Sequence, residues 1–300
     1  MLARKQTRFH AIRVRLEHHR SSGRVEAFCW EFALFVFKQA WACLFGGILL
    51  SLILLTKYFW PMHARLARYD FLFLAALAVQ ALLLVLRMET VREAKVILAF
   101  HVIGTAMELF KTSIGSWNYP EHNFFRIGHV PLFSGFMYAS VGSFMARTTR
   151  ILDMRYTHFP SRAVTIVLAV LIYANFFANH FIVDLRIVLF GLVAAAFGRT
   201  WVYYKPYRAY RRMPLLVGFV LVALFIWIGE NVGTFGSIWV YPHQRAAWEV
   251  VRLSKLGSWL LLMIISFILV SLVHPPKLPP EAELVPEDAL AAIADIATAE

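Results

Sequence analysis

Two carboxyls set in strongly apolar sequence, Glu108 and Glu230, are the residues of this chain best placed to do chemistry. Each opens the same pattern: ELFKTSIGSWNYP over 108–120 and ENVGTFGSIWVYP over 230–242, 122 residues later. Five residue types recur in register without a gap: Glu108/Glu230, Thr112/Thr234, Trp117/Trp239, Tyr119/Tyr241 and Pro120/Pro242. Matches at that density, with an acid and a tryptophan among them, mark an internal repeat. Paired acids can divide into a general acid and a general base where their surroundings differ. Trp117 and Trp239 would then stack on a polyene or stabilise a carbocation through their π faces.

Other polar groups fall near these acids. His101, Thr105, Glu108 and Thr112 lie at i, i+4, i+7 and i+11, one face of a helix. Lys111, one turn from Glu108, is a candidate ion-pair partner. Asn175 and Asn179 are spaced i, i+4, with His180 beside them and Asp184 four residues beyond His180. That His–Asp spacing fits an oriented base, or a solvated histidine at a helix end. Asn231 directly follows Glu230. Glu108 and Glu230 are the candidate catalytic residues. Candidate substrate contacts are His101, Thr105, Lys111, Thr112, Trp117, Tyr119, Asn175, Asn179, Asn231, Thr234, Trp239 and Tyr241. Each has a structural reading beside the chemical one. The acids would clamp helices by hydrogen bonds, the asparagines would link helices, and the aromatic residues would anchor in an interfacial belt before a proline stop. His122, His129 and His243, with Glu121, follow the two signatures but lack H-E-x-x-H spacing, so no metal is expected. The His18-His19 pair in the basic arm is read as solvated. Phosphate-loop, dinucleotide and nucleophile-elbow motifs are missing from the sequence, and no cofactor is expected.

The elements that must hold these residues are transmembrane helices. Three hundred residues that are 60% hydrophobic, 16% charged and of mean hydropathy +0.62 exclude a soluble domain. The apolar runs suit helices of ~20 residues crossing ~30 Å of hydrocarbon. Ten-residue blocks of alternating polarity are lacking, which excludes a membrane barrel. The fold class is therefore all-α, with eight expected spans: within Phe28–Phe59, then Phe71–Met88, Lys95–Ile114, Pro131–Thr148, Arg162–Val183, Leu185–Tyr204, Leu215–Gly236 and Ser254–Val273. Glu108 would sit ~10 Å below the surface. A charged carboxylate at depth costs about 2.5–3.5 kcal/mol, so neither acid should face lipid.

The net charge of +12 does not point to nucleic acid, because the basic residues lie in loops. With the N-terminus inside, 20 Lys and Arg fall on the cytoplasmic side and 9 on the other, which predicts both termini inside. The chain divides into a basic arm (1–26), a bundle (27–273, halves about 27–150 and 161–273) and a Pro-rich acidic tail (274–300). The signatures end the third and seventh spans, so the halves share orientation in a parallel 4+4 repeat, with both Trp-x-Tyr-Pro loops on the outer face. Cys29 and Cys43 on the first segment suggest no disulfide or metal pair.

The block ELFKTSIGSWNYPE, followed by HVPLFSGFMYASVGSFMAR over 129–147, resembles the YoaT-like family of bacterial multi-pass membrane proteins. That resemblance covers most of residues 27–273 and implies a multi-pass protein of the bacterial cytoplasmic membrane, without implying a reaction. The succession of Glu, Thr and an aromatic pair at a span end is similar to carotenoid-modifying membrane hydratases and cyclases. The likeness implies an isoprenoid substrate for Glu108, Thr112, Trp117 and Tyr119 and their counterparts.

Three functions compete. The first is an enzyme acting on an apolar isoprenoid or other lipid that enters from the bilayer. The second is a proton- or cation-coupled transporter, which needs polar groups across the membrane. His101 and Thr105 run inward from Glu108, but only apolar residues (221–228) lie inward of Gly229 and Glu230. The third is a non-catalytic scaffold.

Overall fold

The computed structural model describes residues 23–61 and 63–280. His18-His19, most of the basic arm and the acidic end of the tail lie outside the described residues. Within them the chain forms nine α-helices: α1 (Arg24–Ala42), α2 (Leu44–Phe59), α3 (Arg68–Val85), α4 (Val91–Ser113), α5 (Phe133–Ile151), α6 (Arg162–Ala178), α7 (Arg186–Phe197), α8 (Leu215–Phe235) and α9 (Ser254–Val273). Short strands join some of them. β1 (Arg126–Ile127) pairs with β2 (Val130–Pro131), and β3 (Arg155–Thr157), β4 (Trp201–Tyr204) and β5 (Arg211–Pro214) form an antiparallel sheet in that order.

The protein is thus mostly helical. Four helices, α3, α4 (from Glu93), α8 and α9, are long and apolar enough to cross a membrane, or five spans if α1 and α2 count as one. The single first span expected over 28–59 is broken: α1 and α2 meet at Cys43 at 69°. The helix expected to reach Val183 stops at Ala178, and the one expected to reach Tyr204 stops at Phe197, before β4. At 17 and 12 residues, α6 and α7 are shorter than the ~20 residues a bilayer requires. α5 carries small and polar residues together with Arg147 and Arg150, which removes it from the apolar class.

Two arginines counted as loop charges are structural. Arg147 on α5 is 0% exposed and pairs with Glu89 at 3.0 Å, while Glu89 also accepts from Ser143 at 2.7 Å. Arg68 at the start of α3 bonds Thr56 Oγ1, Glu121 Oε1 and the carbonyls of Ile53 and Gly236, tying the ends of α2 and α8 to the first signature loop. Buried arginines survive because carboxylates and carbonyls fill their donor positions.

Helix contacts recur between the two halves. α4 packs on α5 and α8 on α9, α2 meets α3 and α6 meets α7, and α2 reaches α5 as α6 reaches α9. Close approach of α4 and α5 depends on glycine. A Cβ at Gly104 would lie 2.6 Å from the Tyr138 ring, and one at Gly135 would lie 2.5 Å from His101 Nδ1. One apolar core, including Phe45, Phe136, Phe197, Phe219 and Phe267, fills most of the bundle. A second, around Ile53, Tyr69, Phe133, Ile238, Trp239 and Tyr241, lies under the signature loops.

Candidate functional site

Both signatures fold alike down to single hydrogen bonds. α4 and α8 end in a residue with left-handed backbone, Gly115 (φ 72°) and Ser237 (φ 57°), positions separated by the repeat offset. The next amide bonds back five residues in each case, Ser116 N–H to Lys111 O at 2.9 Å and Ile238 N–H to Gly233 O at 3.2 Å. That closure satisfies carbonyls at the helix end and turns the chain over its own last turn. Asn118 and Val240 then pair in an antiparallel bridge, each amide donating to the other's carbonyl at 3.1 and 2.9 Å. Residues one repeat apart therefore face one another, which places a local two-fold axis between the loops.

The reversal delivers each motif's aromatic residues to its own acid. Glu108, 4% exposed, accepts from Trp117 Nε1 and Tyr119 Oη through Oε2, and from Tyr138 Oη through Oε1, all at 2.7 Å. Glu230, 3% exposed, accepts from Tyr241 Oη through Oε1 and has Trp239 against it. Burial, reinforced by the neighbouring carboxyl, holds the Tyr119 and Tyr241 phenols well above their ordinary pKa, so they act as donors. The two acids are close enough to interact electrostatically.

They differ in one respect. Glu230 Oε2 is buried and has no hydrogen-bond partner among the described residues. At the repeat offset Tyr138 corresponds to Leu260, so the second half has no hydroxyl at the position that closes Glu108. Glu108 is filled on both oxygens, whereas Glu230 has one bonded oxygen and the Trp239 indole against its carboxyl.

Glu230 lines a cavity of about 170 Å³ between α2, α5, α8 and α9. Its walls are mainly apolar, with Leu50, Met137, Val222, Phe225 and Met263 among them, and Glu230 is the one carboxyl. Gly47 and Phe225 at its edge are exposed on the outside of the bundle, so it opens sideways. A second cavity of about 300 Å³ is polar and lies at the signature end, lined by Lys111, Trp117, Asn179, His180, Tyr241 and Lys255 among others. Tyr138, Trp259 and Leu262 line both.

The expected site residues divide accordingly. Trp117, Tyr119, Trp239 and Tyr241 converge on the acids. Lys111 and Asn179 line the polar cavity. Lys111 does not pair with Glu108: its Nζ lies 2.6 Å from His180 Nε2 and 4.2 Å from the Phe176 ring centre. Three phenol and indole donors already occupy Glu108. Nor does His180 pair with Asp184, which binds Arg186 instead. Burial first, then Lys111, pushes the His180 pKa down, which favours a neutral ring accepting a hydrogen bond from the Lys111 ammonium.

The remaining candidates serve the helices. Thr105 and Thr112 bond back to His101 O and Glu108 O within α4, and Asn175 caps the turn into α7 through Leu185 N–H at 3.0 Å. Asn231 accepts from Val251 N–H at 2.9 Å, and Thr234 accepts from Trp248 Nε1 at 3.2 Å. The His101 ring packs, tilted, 4.4 Å from that of Phe136, outside both cavities. Sequence reasoning passed over Tyr138, Lys255 and Trp259. The signal for Tyr138 was Gly104, whose missing side chain makes room for a ring on the facing helix.

The curated "Uncharacterized protein YoaT" of Bacillus subtilis (strain 168) is 43% identical over 252 residues, 83% of this chain and 95% of that protein. The crystal structure of a cross-linked MvINS trimer aligns with a TM-score of 0.46 and 10% identity, over 63% of this chain and 98% of its own. A family profile described as "Protein of unknown function (DUF817)" matches residues 31–267. This chain is a YoaT-like protein and belongs to the DUF817 family.

Proposed function

We propose that this chain is an integral membrane enzyme that acts on an apolar isoprenoid or other lipid, with Glu230 as the proton-transferring group. The observation that carries this reading is that Glu230, whose Oε2 is buried without a hydrogen-bond partner among the described residues, lines a mainly apolar cavity that opens sideways. A carboxyl in such a place either gives a proton to bound substrate or takes one from it, with little water to compete. Tyr241 and Trp239 orient it. Glu108, filled by three donors, positions the first signature loop and Tyr138 rather than reacting. The proposed setting is the bacterial cytoplasmic membrane, with both termini inside and two halves of the same orientation whose signature loops meet on the outer face. The bilayer is the proposed partner and the source of substrate.

The test is the lipid profile of membranes from cells carrying wild-type protein, no protein, Glu230→Gln or Glu108→Gln. General acid–base groups contribute on the order of 10²–10⁴-fold, so Glu230→Gln should reproduce the deletion profile at wild-type protein level. A Glu230→Gln profile matching wild type, against a clear deletion effect, would end this assignment. Transport ranks second because residues 221–228 offer no polar path inward of Glu230.

A further inference from the structure

The two cavities share a wall, and their chemistries are opposite. In the polar one stand three cations, Lys111, Arg186 and Lys255, against one carboxylate, Asp184. Asp184 is already bound to Arg186, through Nε. Lys111 is only 5% exposed, and among the described residues neither it nor Lys255 has a carboxylate within ion-pair distance. Neutral groups hold both: His180 for Lys111, and for Lys255 the rings of Tyr241 and Trp117, whose centres are 4.5 and 5.6 Å from Nζ. Glu230 and Lys255 interact electrostatically, beyond ion-pair distance. A buried Lys111 and a half-buried Lys255, each lacking a carboxylate at ion-pair distance among the described residues, make a site that favours an anion. Asn179 adds a second feature: it lines the same cavity, and its side-chain oxygen is buried with no partner among the described residues.

We propose that the cavities form one site for an anionic amphiphile. Its phosphate or carboxylate head sits between Lys111 and Lys255, and its hydrocarbon chain passes Tyr138 and Trp259 into the apolar cavity beside Glu230. This deepens the reading of the apolar cavity as a lipid site and rests on it. It narrows the substrate class from any apolar lipid to a chain with a negatively charged end, and it fixes the direction of entry. The head stops at the signature end, so the chain carbons nearest it lie alongside Glu230.

Binding, not turnover, tests the proposal. Protein in a neutral detergent is titrated with farnesyl phosphate, farnesol and inorganic phosphate, following tryptophan fluorescence and thermal stability. Farnesyl phosphate should bind at least ~10-fold tighter than farnesol and raise the melting temperature, while inorganic phosphate alone should do neither. Lys111→Met and Lys255→Met should each weaken farnesyl phosphate on the order of tenfold and leave farnesol unchanged. Lys255→Arg keeps the charge and should bind within about threefold of wild type, which guards against a merely misfolded Met variant. Gly229→Leu, in the wall of the apolar cavity, should weaken farnesol and farnesyl phosphate alike.

Equal binding of farnesol and farnesyl phosphate would overturn the headgroup site. Phosphate binding as tightly as farnesyl phosphate would replace the amphiphile with a free anion. Unaltered affinity in both Lys→Met variants would overturn the assignment of the residues. Glu230→Gln separates this inference from the enzyme reading. Binding at wild-type affinity with an unchanged lipid profile in cells would keep the amphiphile site and remove the acid chemistry. A deletion-like profile with no anionic preference in binding would do the reverse.

Discussion

Glu108 and Glu230 occupy matching places, yet their surroundings give them unequal tasks. Glutamine at position 108 puts an amide N–H₂ where indole and phenol donors already converge, leaving at least one buried donor unmatched at a cost of about 1–3 kcal/mol. At position 230 one oxygen has no partner, and a glutamine there can keep the Tyr241 contact through its own oxygen. Glu108→Gln should therefore lower thermal stability in detergent clearly more than Glu230→Gln. Equal losses, or the opposite order, would contradict the distinction between an acid filled on both oxygens and one with a single bonded oxygen. The sequence displayed both acids and all four motif aromatics, because duplicated rare residues stand out in apolar text. Tyr138 stayed hidden: its partner across the repeat is Leu260, so the third donor to Glu108 breaks the very pattern that revealed the other two. Lys111 was assigned to the wrong neighbour for a related reason. Spacing along a helix identifies groups within reach, but it does not show that stronger claims on Glu108 arrive from another helix.

The helix ends of α4 and α8 share one design with one difference, glycine at 115 and serine at 237 in the same left-handed conformation. A side chain in that conformation costs on the order of 1 kcal/mol. Gly115→Ala should destabilise the protein by about that much, and Ser237→Gly should be neutral or stabilising. The thermal stabilities of the two variants check this, and a stabilising Gly115→Ala would refute it. Most helices were legible from apolar run length, including α3, α4, α8 and α9 nearly to their ends. The first segment was read as one helix because its apolar character continues through Cys43, where the chain bends by 69° with no proline to announce it. β4 was absorbed into a predicted span because Trp201–Tyr204 is apolar and follows α7 closely. A short apolar strand and the end of an apolar helix look the same in sequence.

Across the whole molecule the charges proved less uniform than a topology count assumes. Arg68, Lys111, Arg147 and Lys255 are fixed inside the bundle or in its cavities and do not act as loop charges. The proposed orientation thus needs a test of its own. In protein whose own cysteines are replaced by serine, single cysteines at His122 and Arg245 should both react in intact cells with a membrane-impermeant maleimide. Labelling of only one would exclude two halves of the same orientation. The Asn118–Val240 bridge carries a consequence for how such a chain can be divided. Its two hydrogen bonds are reciprocal, as in an isologous contact between identical subunits. Cutting the connection between α5 and α6 would leave each fragment with an edge already shaped for the other. Co-expressed separately, the two fragments should find each other and restore the joined loops, as two subunits do when nothing but symmetry holds them in register.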